Sequence, residues 1–357
     1  MKILQVYKDV FPEVNGGIER YIHDLSVFLH QRGHRMQILV AGGGNRIVSG
    51  MEVFGIPSPG RVLSNPIAPG YSRFFFDTDA DVVHFHLPLP TAVIAWSLVR
   101  ESHRKPYVVT YHSDIVRQSF VMPVYGPILK SFLRGARKVI ATSEKYIATS
   151  PILRCIDNAE AIPIGVDIDR FTPSVRSERR KYLFVGRFRR YKGIFVLLEA
   201  WRMMQNPPEL ILAGGGKLSG SVRDYIQTNN LPVTLLTDVT DEELIALYQN
   251  ARALILPSIQ RSEAFGIVQV EAMACGTAVI SSNLPTGVSW VNSHEETGLL
   301  FTPGSPQALC QAIQQFEESG EKRECMYRKA RDRAESLFNS TDLFARVEEC
   351  LIQATEN

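Results

Sequence analysis

Two carboxylates with seven residues between them, Glu263 and Glu271 in "SEAFGIVQVEAMACG", bracket an apolar run that opens on Phe265 and Gly266. The preceding "ALILPS" reads as a strand ending near Pro257, so Glu263 falls on a loop and a helix begins near Gly266. The first N–H groups of such a helix, those of Phe265, Gly266, Ile267 and Val268, have no intrahelical acceptor and suit a phosphate. Glu271 then lies about a turn and a half inside the helix, where it can face the same cleft as Glu263. A carboxylate accepts two hydrogen bonds from a vicinal diol such as that of a ribose or hexose. Two carboxylates flanking an anion-binding helix start therefore point to a nucleotide sugar, one glutamate per ring. A capping residue plus a buried ion pair is the plainer alternative.

Other strand ends carry matching chemistry. "YLFVGRFRRYKG" ends a strand at Gly186 and then supplies Arg187, a planar fork, and Lys192, a mobile point charge. Together they suit a diphosphate, although Arg189 and Arg190 beside them also fit a solvated basic loop. "LILAGGGKL" places Gly214 and Gly215 after the next strand, where a ligand or a crossing chain can pass close, and its lysine lacks the Ser or Thr of a Walker loop. "KDVFPEVNGGIERY" puts Gly16 and Gly17 directly before a helix, so backbone N–H groups can approach an anion there. A tight loop with a helix start reads equally from that pair. The stretch is not the GxGxxG of dinucleotide folds, which argues against NAD or FAD.

These loops need strands to hold them. Short apolar runs, each followed by a helical pattern, recur as "KILQVY", "RMQILVA", "DVVHFH", "YVVTYH" and "KVIATS". The series restarts after "IDRFTPSVRSERRK" with "YLFVG", "ELILAGGG", "VTLLT", "ALILPS" and "TAVISS". Such alternation is that of parallel strands buried on both faces with crossover helices. It predicts an α/β chain of two doubly wound domains, residues 1–170 and 171–336, joined near 166–180 and followed by a closing segment, 337–357. Helices are expected over 17–32, 91–103 and 341–354, with Gly33 and Gly276 as helix stops. In such sheets ligands sit beyond the carboxyl ends of the strands, where these motifs fall.

Composition excludes several classes. A formal net charge of +2 over 357 residues argues against a dedicated nucleic-acid binder, although residues 1–170 hold 19 Lys+Arg against 15 Asp+Glu. Five cysteines without CxxC or finger spacing read as reduced thiols. "MKILQVYKDVF" is too short for a signal-peptide core, and no run approaches the ~20 apolar residues of a membrane span, so the expected location is cytoplasmic. "DTDAD", with Asp77, Asp79 and Asp81, has the DxD spacing of metal-dependent transferases but reads as a turn before "VVHFH". His84 and His86 share a strand face without a third ligand, so no metal is expected. Between Asp114 and Glu144 no acidic residue occurs, while Arg117, Lys130, Arg134, Arg137 and Lys138 do, interleaved with "FVMPVYGPILKSFL". That segment fits an acceptor or anionic-membrane contact and equally an amphipathic helix packed on its own domain.

In this order, Gly16/Gly17, "ADVVHFHLP", "VVTYHSD", "IPIGVDIDRF", "VGRFRRYKG", "AGGGK" and Glu263 to Glu271 resemble the retaining GT-B glycosyltransferases of family 4 over essentially the full chain. The resemblance implies a GT-B architecture: two Rossmann-like domains facing a central cleft, with a C-terminal helix closing back toward the first. It implies that Arg187 and Lys192 bind the donor diphosphate with help from the Gly17 amide, that Glu271 binds the ribose and Glu263 the transferred sugar, and that His112 lies beside that sugar. It also implies retention without a metal or other cofactor, with the departing phosphate taking the acceptor's proton. "VVTYHSDIVRQ" and "TGVSWVNSHEETG" are most similar to bacterial enzymes of O-antigen or capsule synthesis, often mannosyltransferases, which makes GDP-mannose the favoured donor and a lipid-linked glycan at the inner face of the membrane the favoured acceptor. The second stretch departs from the commoner "GGxPE" form. A UDP-sugar-dependent transferase, a GT-B-type nucleotide-sugar epimerase or hydrolase, and a non-catalytic binding partner are the competing readings.

Overall fold

Strands made almost wholly of Val, Ile, Leu and Phe stay out of water only if helices cover both faces of their sheet. The computed structural model describes residues 1–14, 16–62, 65–116, 119–174 and 179–356. It divides into two units, Met1–Pro163 with Thr341–Asn357, and Ile164–Ser340.

The first unit runs β1 (Lys2–Val6), α1 (Gly17–Gln31), β2 (Arg35–Ala41), β3 (Arg46–Val48), β4 (Met51–Ile56) and a ribbon of β5 (Gly60–Val62) with β6 (Asn65–Ile67). It continues through α2 (Tyr71–Asp77), β7 (Val82–Leu87), α3 (Pro90–Ser97), β8 (Tyr107–Tyr111), α4 (Met122–Gly135), β9 (Lys138–Ala141), α5 (Glu144–Thr149) and β10 (Ala159–Ala161). The main sheet has the order β10-β9-β8-β7-β1-β2-β4-β3. It is parallel except for β3 against β4. The strand order turns back at β1, between β2 and β7, which is where the loops after β1 and β7 diverge. The helix expected over 91–103 is shorter: Leu98 and Val99 donate back to the carbonyls of Ala95 and Trp96, and the chain then extends at Arg100. A separate 3-10 turn, Glu101–His103, fills the rest.

The second unit runs β11 (Lys181–Val185), α6 (Ile194–Met203), β12 (Leu210–Ala213), α7 (Ser219–Thr228), β13 (Val233–Leu236), α8 (Asp241–Asn250), β14 (Ala251–Leu256), α9 (Ile267–Ala274), β15 (Val279–Ser282), α10 (Val288–Val291), β16 (Gly298–Phe301), α11 (Pro306–Glu318) and α12 (Glu321–Leu337). Its sheet is parallel in the order β13-β12-β11-β14-β15-β16. Trp201, Phe184, Phe188 and Phe316 are buried together in one apolar cluster of this unit. Gly33 and Gly276 both adopt positive φ, +86° and +68°, just past α1 and α9, as helix stops require. Gly298, at φ +156°, has no room for a Cβ, which would lie 1.8 Å from the Val279 carbonyl oxygen. β16 therefore runs against β15 only because that residue is glycine.

The division between the units falls before Ile164, ahead of the boundary expected after Arg170. Val166 donates to the Phe338 carbonyl at 2.9 Å and accepts from the Ser340 N–H at 3.0 Å, which ties this stretch to the end of α12. Part of the charged passage, residues 175–178, lies outside the described residues. The last helix, α13 (Ser340–Glu356), begins at Ser340 rather than at 337, because Leu337 still completes α12 and Phe338 is buried against Phe265 and Trp290. From Thr341 onward it belongs to the first unit, where Phe344 meets Tyr21 and Phe28 and Glu348 accepts from His34 Nε2 at 2.8 Å. Among the described residues no helix is long and apolar enough to cross a membrane.

One buried amide holds the far side of the second sheet. Asn292 Nδ2 donates to the Val279 and Leu299 carbonyls and to Ser281 Oγ, and Asn292 Oδ1 accepts from Thr297. Removing it orphans several buried polar groups at once. Asn292→Ala should lower the unfolding free energy by about 3 kcal/mol. Urea unfolding should show a lower midpoint with an unchanged slope.

Candidate functional site

The strand ends of the second unit are drawn together by backbone contact. After β11 the chain turns at Gly186, whose N–H donates to the Ala213 carbonyl, while Phe188 donates to the Gly215 carbonyl at 2.7 Å. A Cβ on Gly214 would lie 2.3 Å from the Gly186 carbonyl oxygen, and one on Gly193 would lie 1.9 Å from that of Pro257. The close approach that Gly214 allows is thus to another stretch of chain. Gly215 has open space, with Ser219 Oγ at 3.6 Å from its would-be Cβ. Ile259 donates to the Tyr191 carbonyl at 2.8 Å, which locks the loop after β14 onto the basic loop after β11.

That lock brings Lys192 to Glu263. Lys192 Nζ lies 2.6 Å from Glu263 Oε2, with both side chains nearly buried, and Ser258 Oγ donates to the same oxygen at 2.8 Å. Burial alone would depress the lysine, but the attraction of Glu263 outweighs it and holds Lys192 above its ordinary value, as a cation. Arg187 is exposed on the same loop, close enough for its charge to oppose that of Lys192. Among the five basic residues Arg187, Arg189, Arg190, Lys192 and Arg261, the sequence offered no ranking by burial.

Gly266 is the N-cap of α9 in the left-handed conformation, φ +74°, and Ile267 is the first helical residue. The Phe265 side chain is buried against Trp290 and Phe338, so only its backbone can serve a ligand. Val268 packs beside Leu256, Leu284 and Val288. Glu271 accepts a hydrogen bond from the buried Tyr248 hydroxyl at 2.5 Å. Burial first, and the Glu271 charge second, hold that phenol well above its ordinary value, so it remains a donor. The same two causes push the Cys275 thiol up to about 12, which leaves it inert.

Three supporting residues were not found from the sequence. Ser258 and Tyr248 carry no motif, and their signal is only a hydroxyl at a strand end and on a helix facing α9. Thr286 Oγ1 donates to the Glu263 carbonyl at 2.9 Å, and the Gly287 N–H donates to the Ala264 carbonyl at 2.7 Å. The stretch that departs from "GGxPE" therefore holds the backbone of the Glu263 loop.

In the first unit Gly16 is the extended N-cap of α1 and Gly17 its exposed first residue. The loop before them is anchored through Asp9 to Arg61 and through Glu13 to Arg46. His112 follows β8, is 4% exposed, and takes its N–H partner from the Leu87 carbonyl. Its ring joins a buried polar layer: His112 Nε2 lies 3.1 Å from His86 Nδ1, His86 Nε2 lies 2.6 Å from Gln5 Oε1, and His84 Nε2 lies 2.7 Å from Thr110 Oγ1. Burial lowers His84 and His112 to about 3, and His86 also well below its ordinary value, so all three rings are neutral at pH 7. Asp79 and Asp81 of "DTDAD" bind the side chain and N–H of Lys2, and Asp77 pairs with Arg73. Asp79 and Asp81 thus hold the start of β1 to the turn before β7.

The basic segment resolves into different surroundings. Arg117 lies outside the described residues. Tyr125, Leu129, Phe132 and Leu133 turn one face of α4 into the core, so those apolar residues are not available to a membrane. Arg134 and Arg137 are exposed, Lys130 is half-buried, and Lys138 is paired with Glu160 at 3.1 Å. Exposed Val124 lies in the first turn of the same helix and exposed Phe120 in the 3-10 turn just before it.

Residues 15–170 match glycosyltransferase family 4, and residues 166–333 match glycosyl transferases group 1. The chain is 31% identical to the O-antigen chain mannosyltransferase C of Escherichia coli over 95% of each chain. It is 33% identical to the D-rhamnosyltransferase WbpZ of Pseudomonas aeruginosa, over 95% of this chain and 93% of that one. The structure of Anabaena Alr3699/HepE in complex with UDP-glucose shares the fold, with a TM-score of 0.81 at 19% identity over 99% of this chain and all of that one.

Two outcomes follow from the site itself. Tyr248→Phe removes a hydrogen bond to a carboxylate and should weaken nucleoside diphosphate binding by about tenfold, measured by calorimetry, with Tm lowered only slightly. Between about pH 3 and the ordinary histidine value the unfolded chain binds protons that the folded rings refuse, so stability rises with pH and is lost as pH falls. His84→Gln should flatten the plot of unfolding free energy against pH, between about pH 4 and pH 6, by up to ~1.4 kcal/mol per pH unit.

Proposed function

The chain belongs to the family 4 glycosyltransferases of polysaccharide synthesis, and from that premise we propose that it transfers mannose from GDP-mannose, with retention and without a metal, to a lipid-linked glycan. The observation that carries the reading is the buried pair of Lys192 and Glu263 at 2.6 Å, beside Arg187 and the start of α9. A diphosphate gives Lys192 a second anionic partner, and Glu263 can then turn a carboxylate oxygen to a sugar hydroxyl. Glu271, fixed by Tyr248, accepts from the ribose diol. The N–H groups at the start of α9 add the positive end of a helix dipole.

In the transfer the bond from the anomeric carbon to the phosphate oxygen breaks, and the acceptor hydroxyl oxygen bonds the same face of that carbon. Its proton passes to the departing phosphate. Arg187 and Lys192 stabilise the charge that develops on the diphosphate, which is the task a metal performs in other transferases. His112 meets the transferred sugar, and the Gly17 amide supports the diphosphate. The outward residues of α4, Val124 and Arg134, with Phe120 and Lys130, suit an apolar acceptor tail near anionic headgroups.

The D-rhamnosyltransferase relative favours one second reading, transfer of D-rhamnose from the same nucleotide. Mannose and D-rhamnose differ only in the hydroxyl on C6, so one pocket can accept both. Calorimetry and turnover with GDP-mannose, GDP-D-rhamnose and UDP-glucose, each with and without EDTA, separate these donors. Acceptor-dependent release of GDP from GDP-mannose, unchanged by EDTA, is expected. Donor loss without acceptor would replace transfer by hydrolysis or epimerisation, and a response to UDP-glucose alone would remove GDP-mannose. Lys192→Gln should lower kcat by about 10²–10³.

A further inference from the structure

Proton positions along a chain of neutral imidazoles are set together, because each ring has one N–H and one lone pair. In the first unit such a chain runs from β1 through β7 to the residue after β8: Gln5 Oε1 to His86 Nε2 at 2.6 Å, then His86 Nδ1 to His112 Nε2 at 3.1 Å. Two settings are open to it. If Gln5 presents its carbonyl, His86 carries its proton on Nε2, His112 donates from Nε2, and His112 Nδ1 is a bare lone pair. If the amide is turned over, every proton shifts and His112 Nδ1 becomes a donor. Gln5 turns its carbonyl oxygen toward His86 Nε2, which is the first of the two settings.

Each ring is clamped in place. Tyr21 stands edge-on to both His86 and His112, with ring centroids 6.1 and 5.4 Å away. His86 and His112 are nearly coplanar, with 21° between their planes. Gln5 and His86 are fully buried, so neither can touch a substrate. Among the described residues His112 Nδ1 is buried and bonds to no protein group. A polar chain that ends on an unpaired nitrogen is built to present that nitrogen to something else.

We infer that Gln5 and His86 are positioning residues that hold His112 as its Nε2–H tautomer, so that Nδ1 accepts a hydrogen bond from a hydroxyl of the transferred sugar. The inference rests on the donor-sugar reading of His112 given above. A neutral acceptor leaves the sugar oxygen more electron-rich, which favours the positive charge developing at the anomeric carbon. A donating or protonated imidazole would oppose that charge. Burial also keeps the chain neutral: a proton on His86 would give both its nitrogens a hydrogen and break the sequence of donors and acceptors.

The test combines a spectroscopic and a kinetic readout on the full chain. Long-range ¹H–¹⁵N correlation of histidine-labelled protein, with the His112 signals assigned through His112→Asn, should show Nδ1 unprotonated and Nε2 protonated. Gln5→Met, close in shape but without an acceptor, should lose that uniform tautomer. Its kcat should fall about tenfold with a nearly unchanged Kd for GDP. Gln5→Glu keeps an oxygen acceptor and should restore both the tautomer and most of the rate, which a merely space-filling role for Gln5 would not predict. A wild-type His112 protonated on Nδ1 would overturn the inference, as would Gln5→Met with wild-type tautomer and rate. Should Gln5→Met fail to fold, the wild-type spectrum and Gln5→Glu still decide. Absence of any nucleoside diphosphate binding by wild-type protein would instead overturn the donor reading, and the sugar contact with it, whatever the spectrum shows.

Discussion

A lysine ammonium taken almost out of water must have a carboxylate within reach, and Lys192 has Glu263. Much of the second unit serves that requirement. The two residues come from loops after β11 and β14, neighbouring strands of the sheet, and the loops touch backbone to backbone because residue 193 is glycine. Ser258 and Thr286 then fix the carboxylate and the carbonyl of Glu263. The pair is poised rather than inert: each partner is a group that a sugar diphosphate could claim, the ammonium by its phosphates and the carboxylate by its hydroxyls.

The two units solve the same problem with different chemistry. Both bury aliphatic strands between helices, and both place polar groups at the carboxyl ends of central strands. In the second unit those groups are ions, held by pairing. In the first they are neutral rings and amides, Gln5, His84, His86 and His112, held by hydrogen bonds and by the aromatic wall of Tyr21. A buried neutral network confers directionality, since donors and acceptors must alternate, and a buried ion pair confers charge.

Much of the fold was legible in the sequence because its signals are local. Alternating apolar runs and helical patterns gave the ten main strands of both sheets, and "RMQILVA" coincides with β2. β3 and β10, of three residues each, and β4 and β16 were not among them: β4 follows Gly50 and holds Gly55 within it, both turn signals, and β16 opens on Gly298. The helix expected through 103 failed at Arg100, where turn geometry overrode periodicity. The joint between units moved because a bridge from Val166 to Asn339 is a long-range pairing that no charge-rich passage announces.

By itself the sequence determined which groups are available: two glutamates at fixed spacing, a basic loop after a strand, glycines where the backbone must turn, and a histidine after a strand of the first unit. Those follow from residue type and period, which need no knowledge of neighbours. The tertiary structure alone decided which lysine is buried and by what, that Tyr248 holds Glu271, that Thr286 steadies Glu263, and that Gln5 reaches His86 across the sheet. These partners come from segments far apart in the chain, and strand order, which no local pattern encodes, is what brings them within hydrogen-bonding distance.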